Sequence, residues 1–156
     1  MTSIGMLSEE HQRKIETHLS EYLEKSESRW SALVDKGGNL LAQFGDTGDL
    51  DLSILCALAA GSFAATHELA RRLGEPEFTA LYHEGQGISI FISALHYECL
   101  LITVFDNKTN IGLVKFYAQQ GAEAMNGFLK VAADEAMAAD PLLLDAELDP
   151  NQSIIG

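Results

Sequence analysis

At 156 residues, with 47% apolar content and a net charge of −13, the chain has the length of one domain and enough apolar material for a core without staples. That charge argues against nucleic acid and against anionic membrane surfaces, both of which call for a basic patch. No apolar run approaches the roughly 20 residues that span a bilayer, and "MTSIGMLSEEHQRK" lacks the basic and apolar regions of a secretory signal, so the expectation is a cytoplasmic protein without membrane insertion.

In chain order, Leu7 to about Lys25 places Ile15, Leu19, Tyr22 and Leu23 at helical spacing, with Ser8 as N-cap and acids in the first turn. "RWSALVDKGGNLLAQFG" then breaks into two short strands around Lys36-Gly37-Gly38, a hairpin signal. Trp30, Ala32 and Val34 are expected to share one face, as are Leu40, Ala42 and Phe44. A second helix runs from about Leu50 to Leu73, capped by Asp49 or Asp51 and stopped by Gly74 and Pro76.

Three more strand-like runs follow: "EFTALYH", "GISIFISAL" and "ECLLITVFD". The last is apolar on both faces, as a central strand covered on both sides would be. "DNKTN" is a turn and cap before a final helix from Ile111 to about Ala138. The remainder, 139–156, has two prolines, four acids and no basic residue, and reads as a tail that is disordered or orders on a partner. The order α-β-β-α-β-β-β-α with short connections implies one α+β domain over 1–138, a five-stranded antiparallel sheet with helices on its faces.

Catalytic machinery is hard to find. Neither a phosphate-binding G-x-x-x-x-G-K-[ST] nor a G-x-G-x-x-G occurs, and "HEGQG" lies between strands rather than opening a helix. No two of the five histidines stand three or four apart. In "HYEC", an extended backbone would turn His96 and Glu98 to one face and Cys99 to the other, a poor zinc set. Cys56 and Cys99 fall in apolar runs, where a thiolate is disfavoured. No catalytic, cofactor-binding or metal residue is assigned.

The second helix, "LCALAAGSFAATHELARRLGE" at its heart, carries the functional signal. On a helical wheel Leu52, Leu55, Leu58, Leu69 and Leu73 cluster, with Phe63 at their edge, and are expected to cover the sheet. Opposite them lie Ala57, Ala60, Gly61, Ala64, Glu68 and Arg71, flanked by Ile54, Ala65 and Arg72. A small, apolar outer face lets another backbone approach and marks a partner surface. The strand after it, with Phe78, Ala80, Leu81, Tyr82 and His83, is a candidate sheet edge open to a second copy.

The pieces "ALVDKGGNLLAQFG", "LAAGSFAATHELARRLGEPEF", "HEG" and "LLITVFDNKTNIGLVK", in this order, resemble the Roadblock family of dynein-light-chain-like proteins. Within it, the chain is most similar to the bacterial members that partner the Ras-like GTPase MglA. The resemblance implies a Roadblock/longin-like sandwich and a homodimer with antiparallel central helices and sheets joined at the third strand. It also implies a helix platform for a GTP-loaded, MglA-like small GTPase. Such members accelerate GTP hydrolysis by reshaping the GTPase's own site, in the service of cell polarity and motility. Arg71 and Arg72 are then docking or surface residues rather than an arginine finger. The competing classes are a non-catalytic Roadblock scaffold for a GTPase or motor complex, and a ligand sensor with a pocket between sheet and helices.

Overall fold

The computed structural model describes residues 7–139. Helix α1 (Glu9–Ser26) starts where the Ser8 hydroxyl accepts from the His11 amide at 3.2 Å, with Glu9 and Glu10 in the turn where the helix dipole favours acids. Strands β1 (Trp30–Asp35) and β2 (Leu40–Gly45) form the expected hairpin. Helix α2 (Leu52–Leu73) is capped by Asp51, whose carboxylate accepts from the Ile54 amide at 3.3 Å. It is stopped by Gly74 at a φ of 81°, a left-handed geometry that costs glycine nothing. Strands β3 (Ala80–His83), β4 (Ile88–Ala94) and β5 (Cys99–Asp106) precede helix α3 (Ile111–Ala139), whose first turn is capped by Asn110 accepting from Leu113 at 2.9 Å.

All strand pairs are antiparallel, in the order β2-β1-β5-β4-β3. This is the α+β sandwich expected from the order of elements, in the Roadblock/longin-like form that the resemblance implies. The doubly apolar run does form the centre: β5 lies between β1 and β4 and is buried along nearly its whole length. Alternation then sorts the core into two layers. Trp30, Ala32, Val34, Leu100, Ile102 and Val104 pack with α2. Leu33, Leu101 and Phe105, with Phe91 of β4, pack against α1 and α3. Each such fully buried aliphatic side chain stabilises by about 1.5–3 kcal/mol.

Among the described residues most polar groups inside are paired, the Ser93 and Thr109 hydroxyls being exceptions. Tyr22 and Thr103 share a hydrogen bond of 2.8 Å, and the Ser31 hydroxyl donates to the Ile102 carbonyl at 2.9 Å. Burial pushes the Tyr22 phenol up to about 12, against the smaller lowering effect of Thr103. At the far end of the α1–α3 pair, the His11 imidazole meets the Glu135 carboxylate.

Four expectations are corrected. A bulge between Leu33 and Val34 sets Leu40 opposite Val34 but Ala42 opposite Leu33, so Leu40 does not share the face of Ala42 and Phe44. "HYEC" is a turn, not an extended run. Tyr97 and Glu98 have φ of 59° and 58°, and the Cys99 amide donates to the His96 carbonyl at 3.3 Å. The leucines of α2 are only in part its core face: Leu52 and Leu55 are half-buried against the sheet, whereas Leu58, Leu69 and Leu73 are exposed, because the sheet beneath is already filled by its own bulky side chains. Finally, α2 is long and apolar enough to cross a membrane by length and composition, contrary to the expectation that no such run exists. In this fold its inner face lies on the sheet. The acidic tail, from residue 140 onward, lies outside the described residues.

Candidate partner-docking surface

The residues of α2 buried against the sheet are Cys56, Ala59, Ala60 and Phe63, with Leu52 and Leu55 half-buried beside them. Beneath them stand the bulky side chains of Trp30, Ile92, Leu100 and Ile102, so the sheet supplies volume and the helix supplies closeness. Size alone misassigned part of the faces: Phe63 lies inward as expected, but Leu58, Leu69 and Leu73 point outward. Ile54, Leu58, Leu69 and Leu73 are 58%, 64%, 55% and 66% exposed. Leu52 and Leu55 are half-buried.

Of the docking residues named from sequence, Ala57, Gly61, Ala64, Ala65, Glu68, Arg71 and Arg72 are exposed together on α2. Ala60 is the exception. It is 4% exposed and packs towards the sheet, because it lies on the same side of the helix as Cys56 and Phe63. Space above Gly61 is open, with no atom of the described residues outside its own helix turn within 4 Å of where a side chain would start. Joined to the leucines, the outer face is thus more apolar than the small-residue strip alone.

The two flanks of this face differ. On one, the β1–β2 hairpin presses against the helix: a Cβ on Gly38, at a φ of 90°, would stand 2.8 Å from Ala57 Cα. Beside it is a cleft of about 180 Å³ lined by Lys36, Ala60, Phe63, Ala64 and His67. The other flank, turned away from that hairpin, carries Leu55, Leu58, Ser62, Leu69 and Leu73 at helical spacing. Neither that flank nor the cleft was identified in the sequence. The alternative apolar spacing of Cys56, Ala59, Phe63 and Ala70 was the available signal.

Charge is confined to the last turns of α2. Arg71 holds Glu68 through Nε at 3.1 Å and Nη2 at 3.0 Å, and Arg72 Nε holds it at 3.0 Å. Arg71 first, and Arg72 second, hold the Glu68 carboxyl below the usual carboxylate range. Both guanidiniums are therefore engaged within their own helix.

At the sheet margin, β3 is an edge strand whose one described partner is β4. Ala80, Leu81, Tyr82 and His83 form it, and Phe78 lies just before it. Tyr82 stacks towards Phe105 with ring centroids 6.1 Å apart. On the opposite side of the sheet from α2, a groove of about 230 Å³ between β4 and α3 is lined in part by Phe91, Ser93, Lys115 and Gln119. Among the described residues, no group of three or more His, Cys, Asp or Glu is placed to hold a metal ion. Burial first, then Asp35, pushes the Cys99 thiol up to about 12, the reverse of what a nucleophile needs.

The described residues form an antiparallel five-stranded sheet with one apolar surface helix on one side and two helices on the other, and the Roadblock/LC7 domain model matches residues 14–105. The chain belongs to that family. Among solved structures it is similar to Myxococcus xanthus MglB, with 30% identity, a TM-score of 0.72, and coverage of 76% of this chain and 96% of that one. The gliding protein MglB of Thermus thermophilus is 28% identical at a TM-score of 0.76, covering 83% and 98% of the two chains. An MglB described as having a tetrameric arrangement is 28% identical at 0.78, covering 85% and 98%. No curated protein matches the chain.

Proposed function

We propose that the chain is a cytoplasmic, homodimeric regulator that receives a GTP-loaded, MglA-like small GTPase on α2 and stimulates its GTP hydrolysis, serving cell polarity or motility. The observation that carries this reading is the exposed face of α2, apolar from Ile54 to Ala65 and again at Leu69 and Leu73, in a strongly acidic chain. Similarity to MglB proteins supports the choice of partner.

Two surfaces of α2 divide the work. The leucine flank faces a second copy. With two α2 helices antiparallel, Leu58 comes alongside Leu69 and Leu55 alongside Leu73, with the small Ser62 and Thr66 where the helices cross. Edge-to-edge pairing of β3 with the partner's β3 continues the sheet, satisfying backbone groups that an edge strand leaves open. The small-residue strip of Ala57, Gly61, Ala64 and Ala65 then faces the GTPase across both helices.

Stimulation without an arginine finger fits the engagement of Arg71 and Arg72 by Glu68. The regulator acts by holding the GTPase's own loops in the hydrolytic arrangement, which is differential binding of one conformational state. Such a mechanism requires tighter binding to the GTP form. Titration of the GTPase, loaded with GDP or with a non-hydrolysable GTP analogue, into this protein tests that requirement; equal affinity for both forms refutes it.

A further inference from the structure

The geometry points to the cleft between the β1–β2 hairpin and α2 as an anchor pocket for the docked GTPase, taking an apolar side chain next to a carboxylate. This rests on the GTPase reading above and goes beyond it by naming the recognition chemistry. The cleft has an apolar floor, since Phe63 and Ala60 are 5% and 4% exposed, and Ala64 forms one wall. Its volume of about 180 Å³ is comparable with the roughly 150 Å³ apolar cavities that bind benzene, so it takes one ring or one branched aliphatic side chain.

The rim is chemically distinct from the floor. Lys36 and His67 are both exposed there, and among the described residues Lys36 is in no ion pair. Its neighbour Asp35 is already occupied, accepting from the amides of Gly37 and Asn39 and from the Asn39 side chain, each at 2.9 Å. The α2 helix itself holds one carboxylate against two guanidiniums, in a chain whose net charge is −13. A lysine and a locally basic helix within such an acidic surface select a carboxylate.

The pocket is also built in advance. Lys36 donates its amide to the Glu98 carbonyl at 3.0 Å, and Gly38 lies against the Ala57 backbone. The hairpin that carries the ammonium is thereby fixed to α2, and less ordering is left for the moment of binding.

The test is the affinity of the GTPase, loaded with a GTP analogue, for wild type, Lys36→Glu, Lys36→Gln and Gly61→Arg, each first shown to melt like wild type. It is paired with carbodiimide cross-linking of the complex and mass spectrometry. The expected result is a loss of at least tenfold for Lys36→Glu and a smaller loss for Lys36→Gln. A cross-link from Lys36 to a GTPase carboxylate flanked by an apolar residue is expected with them. If Gly61→Arg abolishes binding while both Lys36 variants stay within twofold of wild type and no Lys36 cross-link forms, the anchor pocket is wrong and the platform stands. If wild type does not bind the GTPase, the platform and the pocket fall together.

Discussion

Gly38 and Ala57 meet backbone to backbone: the space where a Gly38 side chain would begin lies 2.8 Å from the Ala57 Cα. This contact ties the β1–β2 hairpin to the helix that carries the proposed docking face. A side chain at Gly38 has to push the hairpin off α2 and also adopt a φ of 90°. Gly38→Val should therefore cost about 2–4 kcal/mol, combining overpacking with left-handed strain, as read by urea denaturation.

Gly61 is the opposite case, because among the described residues beyond its own helix turn nothing stands within 4 Å of an added Cβ. Gly61→Ala should raise helix stability by roughly 0.5–1 kcal/mol. Gly61→Arg should fold equally well yet abolish GTPase binding. Parallel melting and binding curves on these two variants separate a docking role from a structural one.

The leucine flank predicts a change of assembly rather than of fold. Leu58 and Leu69 are 64% and 55% exposed in the single chain, so Leu58→Asp and Leu69→Asp remove no core contact. Sedimentation equilibrium should show monomers for both, with the helical circular dichroism kept. By contrast, Phe63→Ala should lose about 3–5 kcal/mol, since its ring is buried on the sheet.

The Tyr97-Glu98 turn holds two side-chain-bearing residues in left-handed geometry. Each costs on the order of 1 kcal/mol that glycine would not. Glu98→Gly should stabilise the domain by about that amount in urea titrations, with docking unchanged.

Alkaline sensitivity follows from Tyr22 and Cys99. Burial raises the phenol from 10.0 to about 12 and the thiol from 9.0 to about 12. The unfolded chain therefore loses these protons first, and stability present below about pH 9 is lost as pH rises towards 12. Tyr22→Phe should flatten the fall between pH 10 and 12 in urea-midpoint measurements. It should also lose about 1 kcal/mol at neutral pH with the Thr103 hydrogen bond.

Local chemistry made most of the architecture legible. Ser8, Asp51 and Gly74 act at the helix ends where their side chains, or lack of one, promised they would. The two-faced apolar run Leu100 to Phe105 lies in the central strand for the reason its pattern implied. What failed depended on who packs against whom. A wheel cannot tell that Trp30, Ile92 and Leu100 fill the space under α2, leaving room for the small Cys56, Ala59 and Ala60 around Phe63. The same blindness hid the bulge at Leu33–Val34, which depends on pairing, and the Tyr97-Glu98 turn, which has no glycine to announce it. The candidate docking strip rests in the sequence on Gly61 and Ala64, which the fold leaves exposed; the outward leucines and the Lys36 cleft required the fold.

Single-turnover GTP hydrolysis by the cognate GTPase, with and without this protein, tests the central claim most directly. Stimulation of at least tenfold is expected with wild type and none with Gly61→Arg. An unchanged hydrolysis rate with saturating wild-type protein contradicts it.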